Sequence, residues 1–149
     1  MKRKALFPGS FDPFTIGHFA IVKRSLLISD ELIIAIGNNP QKKTLFSIDE
    51  RVERVNKIFE NNKNITVLSY DTLTSDFAKK LNVNYIIKGI RNINDFEFEK
   101  NMADVNRKLS GIETIFLISE PELSSISSAL VRELIIFNKD ISHLIPIAK

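Results

Sequence analysis

The sequence predicts an α/β protein built on a single doubly wound, five-stranded parallel sheet. Five short runs rich in β-branched residues alternate with amphipathic segments from one end of the 149-residue chain to the other. Most of these runs are continuously apolar, which indicates strands buried on both faces. Gly, Pro and Asn mark the joins, and no linker, repeat or low-complexity tract divides the chain. We therefore expect one domain over residues 1–149.

Each predicted strand is a short apolar run bounded by turn or polar residues. In chain order, the strands are predicted at residues 5–7, 32–36, 65–68, 85–87 and 114–118. The predicted helices carry apolar side chains at helical spacing, and they fall at residues 19–27, 47–59, 77–81, 94–110 and 130–134. Ser47 can cap the second helix while Glu50 reaches back to the cap, and Gly111 is placed to end the fourth. This alternation predicts right-handed crossovers with helices on both faces of the sheet.

Charge and composition narrow the class of partner. The chain has 21 Lys and Arg against 18 Asp and Glu, a formal charge of +3, and no long basic block. We therefore expect a small anionic substrate and no nucleic-acid partner. Cysteine is absent, which excludes disulfides, thiolate metal sites and a cysteine nucleophile. No apolar run reaches membrane-spanning length, so we expect a cytoplasmic protein with no membrane partner.

The loop after the first strand, residues 8–18, lies where this topology predicts a ligand. It contains neither the three-glycine dinucleotide pattern nor a Walker motif. Gly9 lets the backbone approach a ligand, and Ser10 offers a hydroxyl. His18 lies on the first turn of a helix whose free amides attract phosphate. Together these features fit a triphosphate, although a tight turn and a capping or surface histidine would explain them separately.

Further motifs continue this pattern along the chain. They read TIGH at 15–18, PQKK at 40–43 with FSIDER at 46–51, KGIR at 88–91 with DFEFE at 95–99, and ISSALVRE at 126–133. In order and spacing they resemble bacterial phosphopantetheine adenylyltransferases of the nucleotidyltransferase superfamily. The resemblance covers nearly the whole chain and implies the Rossmann-like nucleotidyltransferase fold.

The same resemblance implies a reaction and its partners. The expected activity is transfer of the adenylyl group of ATP to 4′-phosphopantetheine, which yields dephospho-coenzyme A and pyrophosphate in the penultimate step of coenzyme A synthesis. Mg²⁺ is the expected cofactor, with no metal ligand assigned to the chain itself. A homohexamer and feedback by coenzyme A are expected on the same ground.

The resemblance also implies roles for individual residues. His18 is expected to contact the α-phosphate of ATP and stabilise its transition state, while Ser10 and Lys42 hold the acceptor phosphate in line. Lys88 is expected to bind the phosphate of pantetheine, and Thr74 matches a position whose backbone contacts the pantetheine arm. The other expected ATP-site positions, which join Ser10 and His18, are Phe11, Gly89, Ile90, Arg91, Glu99, Leu123, Ser124, Ser125, Ile126, Ser127, Ser128 and Ala129. Because the nucleophile is already an anion, alignment and charge stabilisation matter more than a strong base.

Some positions depart from the family pattern. Ser10 stands where Thr is usual and keeps the hydroxyl. Lys88 stands where Arg is usual, which keeps the charge but loses the bidentate fork. The remaining departures are Phe98 for Tyr, Ala129 for a third Ser, and Leu123 and Ser125 where aromatic residues are common.

Simpler explanations and other functions remain open at this stage. Each candidate also has a simpler structural role. Lys42 and Lys43 could be a solvated pair, Arg91 could pair with Asp95, and Glu99 could lie on an exposed helix face. Ser127 and Ser128 could be helix caps. The stripe of Arg51, Arg54 and Lys57 is expected to be a solvated face, and His143 to be exposed or structural. The alternative functions are another small-acceptor nucleotidyltransferase and a non-catalytic ATP-binding module.

Overall fold

Strands and helices alternate along residues 1–147, the part of the chain that the computed structural model describes. The elements in chain order are β1 (Lys4–Gly9), α1 (Ile16–Ser25), β2 (Glu31–Gly37), α2 (Ile48–Phe59), β3 (Ile65–Tyr70), α3 (Thr74–Lys80), β4 (Tyr85–Ile90), α4 (Ile93–Ser110), β5 (Glu113–Ile118), a 3₁₀ turn (Pro121–Leu123) and α5 (Ser128–Ile136). Each predicted strand and helix is present, so the predicted element order is confirmed. The last two residues of the predicted domain, 148–149, lie outside the described residues.

The five strands form one parallel sheet in the order β3-β2-β1-β4-β5. This order confirms the predicted doubly wound parallel sheet. The chain builds outward from β1 to β3 and then crosses back to place β4 on the other side of β1. The carboxyl ends of β1 and β4 therefore flank the switch point, where sheets of this kind bind ligands.

Alternation along β1 divides the core into two layers. Ala5 and Phe7 face α1 and α2, where Val22 packs with them. Leu6 faces the opposite side of the sheet and packs in a cluster with Ala78 of α3. Both faces of the central strands are therefore covered, which is why their sequences are continuously apolar.

β1 extends through Pro8 and Gly9, two residues that the sequence assigned to the following loop. Its pairing with β2 continues to Gly9, whereas its pairing with β4 covers Ala5 and Leu6. A proline is tolerated here because the N–H that it lacks is not needed for pairing with β4. The Pro8 carbonyl instead accepts a hydrogen bond from Lys88 Nζ at 3.1 Å. Beyond Leu6, polar side chains can therefore enter between β1 and β4.

Side chains determine where the helices begin and end. Thr15 Oγ1 accepts the backbone N–H of His18 at 3.4 Å, so α1 begins three residues before the predicted start. The predicted cap at Ser47 is present, since its Oγ accepts the Glu50 N–H at 3.1 Å. Gly111 ends α4 with φ +74°, a left-handed conformation that favours glycine.

The segment after α5 packs back onto the start of α1. Leu144 is buried with Ile126 and Val131, and its carbonyl accepts the Ile16 N–H at 2.9 Å. This bond satisfies one of the free amides in the first turn of α1. The segment therefore helps to hold the helix start that carries His18.

Candidate active site

Two adjoining cavities open at the carboxyl ends of β1 and β4. The larger has a volume of about 650 Å³ and lies between the loop after β2, the start of α3 and one face of α4. The smaller has a volume of about 360 Å³ and lies between the β1–α1 loop, the end of β4 and the start of α5. The residues that line both are Pro8, Gly9, Ser10, Lys42, Lys88 and Glu99. Lys42 and Lys88 can therefore contact a ligand in either cavity.

His18 is half-buried in the wall of the smaller cavity. Its Nδ1 accepts the backbone N–H of Thr15 at 3.0 Å, so the neutral ring carries its proton on Nε2. Burial lowers the pKa of His18 from 6.5 to about 3, and the positive charges of Lys88 and Arg91 act in the same direction. At neutral pH the side chain is therefore a neutral imidazole with one N–H donor.

Phenylalanine rings pack around this imidazole. The ring centroid of Phe11 lies 4.9 Å from that of His18, and the centroid of Phe14 lies 5.3 Å away. Phe11 also explains the glycine at position 9, because a Cβ there would come within 2.9 Å of its Cζ. The FDPF part of the loop therefore supplies an apolar setting that holds the imidazole in place.

Two lysines reach the shared wall of the cavities, Lys42 from the loop after β2 and Lys88 from β4. Lys42 Nζ donates to Ser10 Oγ at 2.8 Å. Lys88 Nζ lies 3.5 Å from a carboxylate oxygen of Glu99, and both side chains are largely buried. An ammonium group has three donors, so neither lysine is saturated by these contacts. An anionic group at this wall can therefore be bound from two sides.

The opposite wall of the smaller cavity is the N-terminal end of α5. Ser127 caps this helix, with its Oγ accepting the Leu130 N–H at 3.0 Å, and Ser128 Oγ donates to the Pro13 carbonyl at 2.8 Å. The capping explanation is therefore confirmed for Ser127 and wrong for Ser128, whose hydroxyl bonds to the β1–α1 loop, and the helix start lines the cavity. Free amides and the helix dipole make such a start favourable for phosphate.

Arg91 faces the same cavity while it pairs with Asp95 at 3.0 Å. The pairing that the sequence left open is therefore present. Glu99 is not on a solvated helix face, because it pairs with Lys88 between the two cavities. His143 is exposed, as expected.

Most of the predicted site residues come together around the two cavities. The predicted positions that line the smaller one are Ser10, Phe11, His18, Lys42, Lys88, Gly89, Arg91, Glu99, Ile126, Ser127, Ser128 and Ala129. Thr74 lines the larger one with Ser10, Lys42 and Lys88. The predicted positions that line neither are Ile90, Leu123, Ser124 and Ser125. Ile90 is buried at the end of β4, Leu123 packs against the Ile126 cluster, and Ser124 Oγ donates to the Pro121 carbonyl at 3.0 Å.

Sequence reasoning missed polar residues in the walls of both cavities. Tyr70 lines the larger cavity, where its hydroxyl lies 2.9 Å from Thr74 Oγ1 and burial raises its pKa. Arg132 and Asp12 line the smaller one. The position of Tyr70 at the carboxyl end of β3 was a usable signal, since ligands bind beyond strand ends.

The expectation of a solvated stripe on α2 is wrong for Arg51. This side chain is buried, with 2% exposure, whereas Arg54 and Lys57 are exposed. The stripe is divided because the loop that precedes α2 folds over its first turn. Burial lowers the pKa of the Arg51 guanidinium, and the nearby charge of Asp12 opposes that shift.

The carboxylates in the smaller cavity already have protein partners. Asp12 accepts two backbone N–H groups, Asp95 pairs with Arg91, and Glu99 pairs with Lys88. Over residues 1–147, no group of three or more His, Asp or Glu side chains is arranged to hold a metal ion. Within the same range, no helix combines the length and apolar character needed to cross a membrane.

Comparison with known proteins identifies similar sequences and folds. A family model described as cytidylyltransferase-like matches residues 6–134. The phosphopantetheine adenylyltransferase of Bacteroides thetaiotaomicron is 54% identical over 144 residues, which cover 97% of this chain and 95% of that protein. The protein of the same name from Cytophaga hutchinsonii is 44% identical, with 98% of each chain covered.

A solved structure with little sequence similarity has the same fold. A bifunctional NMN adenylyltransferase/ADP ribose pyrophosphatase from Francisella tularensis superposes with a TM-score of 0.72 at 16% identity. The match covers the whole of this chain and 46% of that one, so this chain spans about half its length. At this identity the likeness concerns the fold alone.

Proposed function

The chain belongs to the cytidylyltransferase-like family and, within it, to the phosphopantetheine adenylyltransferases, and on that premise we propose how its two cavities divide the reaction. The chain transfers the adenylyl group of ATP to 4′-phosphopantetheine and releases dephospho-coenzyme A and pyrophosphate. ATP occupies the smaller cavity and the pantetheine arm the larger one. The acceptor phosphate lies at their shared wall.

The observation that carries this arrangement is the wall formed by Ser10, Lys42 and Lys88. These three side chains line both cavities, and the 2.8 Å bond between Lys42 and Ser10 keeps a hydroxyl and an ammonium group together. A phosphate held there faces the smaller cavity, so its oxygen can attack the α-phosphate of ATP. The new P–O bond forms as the bond to the β-phosphate oxygen breaks.

His18 acts on the α-phosphate as a neutral hydrogen-bond donor. Its Nδ1 is occupied by Thr15 N–H, which leaves Nε2–H for a phosphate oxygen that gains charge during transfer. Donors aimed at developing charge contribute more in the transition state than in the ground state. No general base is required, because the acceptor phosphate is already an anion.

The β- and γ-phosphates are held at the opposite wall. The first turn of α5 offers backbone amides, and Arg91 contributes a guanidinium that Asp95 orients through their 3.0 Å contact. Gly89 lies on β4 beside Ile21, and a Cβ at this position would lie 3.0 Å from Ile21 Cγ1. The pyrophosphate leaving group therefore departs from a site that already carries positive charge.

We infer that Mg²⁺ enters with ATP rather than binding to the chain alone. The carboxylates of the smaller cavity are already bound by backbone N–H groups, by Arg91 and by Lys88. Magnesium commonly keeps several waters and takes its remaining ligands from substrate phosphates. When bound, the ion supplies neutralisation of phosphate charge, while the chain supplies orientation.

A pyrophosphate-release assay tests the proposed function. The protein is given ATP with 4′-phosphopantetheine, pantetheine, nicotinamide mononucleotide or no acceptor. Release is expected only with 4′-phosphopantetheine, because the shared wall selects a phosphate on a pantetheine-sized arm. Equal release with nicotinamide mononucleotide would indicate a different acceptor, and ATP binding without release would indicate a non-catalytic module.

A substitution pair checks that the activity belongs to this site. His18→Ala is expected to lower kcat by about 10²–10³, because one donor to the transferring group contributes about 3–4 kcal/mol. The dissociation constant for ATP should change little. His143→Ala is the matched control, since His143 is exposed and lines neither cavity. Near-normal turnover by the His18 variant would refute its assignment.

We propose a homohexamer as the working assembly. Support comes from exposed apolar side chains in the first turn of α4, since Ile93 is 76% and Phe96 43% exposed and neither lines a cavity. Neighbouring exposed apolar side chains are typical of surfaces that contact other chains. Light scattering at micromolar concentration should give six times the chain mass, and a fully active monomer would refute the proposal.

We also propose that coenzyme A inhibits by occupying both cavities, since it contains a pantetheine arm and an adenylyl group. The continuity of the cavities at Ser10 and Lys42 supports this view. Inhibition should then be competitive with both substrates. Because the reaction consumes ATP, we place the protein in the cytoplasm.

A further inference from the structure

Arg51 is a buried cation that bonds to three carbonyl groups beside the site. Its Nη1 donates to the carbonyls of Ser10 at 2.7 Å and Gly37 at 2.9 Å, and its Nε donates to that of Phe46 at 3.2 Å. These carbonyls belong to the β1–α1 loop, the end of β2 and the segment just before α2. One side chain therefore connects three segments that are distant in sequence.

Asp12 connects two of the same segments from the other side. It is 2% exposed, and its two carboxylate oxygens accept the backbone N–H groups of Leu45 and Phe46, each at 2.9 Å. The Arg132 guanidinium lies 3.9 Å from this carboxylate and donates to the Asp12 carbonyl at 2.9 Å. The last residues of the loop are therefore fixed to the loop that carries Ser10.

These contacts hold both ends of the loop that carries Lys42. The loop comprises residues 38–46, and Lys42 lies at its centre with an exposed side chain. Arg51 binds the carbonyl just before the loop, at Gly37, and the one at its last residue, Phe46. It also binds the main chain of Ser10, the residue that Lys42 Nζ contacts at 2.8 Å.

An apolar side chain could fill the space that Arg51 occupies, so packing alone does not explain a charged group here. A buried guanidinium loses hydration, and that cost is offset only where its N–H groups find good acceptors. The planar group presents several donors in a fixed geometry, which a flexible ammonium cannot reproduce. The fixed donors suit a position that must set the distance between two loops.

We propose that Arg51, assisted by Asp12, is a positioning residue that sets Lys42 against Ser10 at the acceptor phosphate. This role rests on the proposed function, because Lys42 and Ser10 are the groups taken to hold the nucleophile. Arg51 itself touches neither substrate, since it lines neither cavity. Its effect on the reaction passes through the placement of Lys42.

A double-mutant cycle between Arg51→Lys and Lys42→Ala tests the proposal. In the wild-type background, Arg51→Lys should lower kcat by about tenfold to a hundredfold, since small misplacements of an aligning group carry such penalties. In the Lys42→Ala background the same change should cost less than about twofold, because the group being positioned is gone. Lys57→Ala on the exposed side of α2 is the matched control and should leave kcat unchanged.

Binding measurements separate a positioning effect from loss of folding. Calorimetry should show ATP affinity within about twofold of wild type for Arg51→Lys, while affinity for 4′-phosphopantetheine falls. Asp12→Asn, which keeps one acceptor oxygen, gives a second cycle with Lys42→Ala and the same expected non-additivity. Equal penalties for Arg51→Lys in both backgrounds, or loss of folding by both the Arg51 and Asp12 variants, would overturn the proposal in favour of a structural role.

The outcome does not depend on observing turnover. If the wild-type protein released no pyrophosphate with 4′-phosphopantetheine, the proposed function would fail. The double-mutant cycle between Arg51→Lys and Lys42→Ala would then be measured by the dissociation constant for inorganic phosphate instead of by kcat. Non-additive losses of phosphate binding would still support the positioning role, and additive losses would refute it.

Discussion

Acidification is expected to destabilise this protein through His18. The pKa of His18 is about 3 in the folded chain, against 6.5 for an unperturbed histidine. The unfolded chain therefore takes up a proton at a higher pH than the folded chain does. The free energy of unfolding must fall as pH drops from about 6.5 towards 3, and His18 contributes no slope above that window.

The structure sets the size of this effect. A difference of 3.5 pKa units, 6.5 − 3, corresponds to about 5 kcal/mol when the whole window is crossed. Between pH 6.5 and pH 5 the loss is about 2 kcal/mol, at about 1.4 kcal/mol for each pH unit. The physical causes are burial first, followed by the charges of Lys88 and Arg91.

Urea unfolding at pH 7 and pH 5 measures the loss. His18→Asn is the comparison, because asparagine does not titrate while its oxygen can still accept the Thr15 N–H. Wild type should lose about 2 kcal/mol more than the variant between these two pH values, since other titrating groups are common to both proteins.

Nitrogen NMR of the ring reports the same property directly. The folded protein should show Nδ1 unprotonated and Nε2 protonated at pH 5, and His143→Asn assigns the two histidine spectra. Equal acid sensitivity of wild type and His18→Asn, or a doubly protonated His18 ring at pH 5, would refute the reasoning from burial and the Thr15 bond.

Three further predictions concern charges at the shared wall. Lys42→Ala should lower kcat by about thirtyfold to a thousandfold, which corresponds to about 2–4 kcal/mol of transition-state stabilisation. Calorimetry should show little change in ATP affinity. Loss of ATP binding with a normal kcat would instead assign Lys42 to the nucleotide site. Lys88→Arg should preserve or improve the Kd for 4′-phosphopantetheine, because the guanidinium binds phosphate bidentately, and a loss above about tenfold would show a pocket built around lysine. Glu99→Gln removes the charge of the carboxylate that lies 3.5 Å from Lys88. This change should tighten binding of 4′-phosphopantetheine by about threefold to tenfold. Weaker binding would show that Glu99 orients Lys88 rather than competing with the phosphate.

Local signals explain why the fold class could be predicted. Apolar runs, helical spacing and caps such as Ser47 and Gly111 act within a few residues, so they can be recognised without knowing the neighbours of a segment. Residue types that bind phosphate, at the ends of predicted strands, likewise indicated an anion site. The specific reaction expected at that site came from the resemblance to phosphopantetheine adenylyltransferases.

Candidate site residues could be named from the sequence, whereas their arrangement could not. His18, Ser10 and Lys88 were identified from the sequence, and the structure brings them to the walls of adjoining cavities. Their placement on one wall depends on the crossover that puts β4 beside β1. Ile90 and Leu123 were also expected at the site but line neither cavity, because Ile90 is buried at the end of β4 and Leu123 packs against the cluster of Ile126.

The sequence by itself therefore determined the order of the elements, the sheet type and the chemical groups available for binding phosphate. Tertiary structure alone decided that Arg51 is buried, that Asp12 binds the loop before α2, and that His18 is a neutral donor. Periodicity on one helix places Arg51 with exposed Arg54, since both follow the same spacing. Burial and pKa depend on which loops fold over a side chain, and contacts such as Arg51 to Ser10 span 41 positions of sequence.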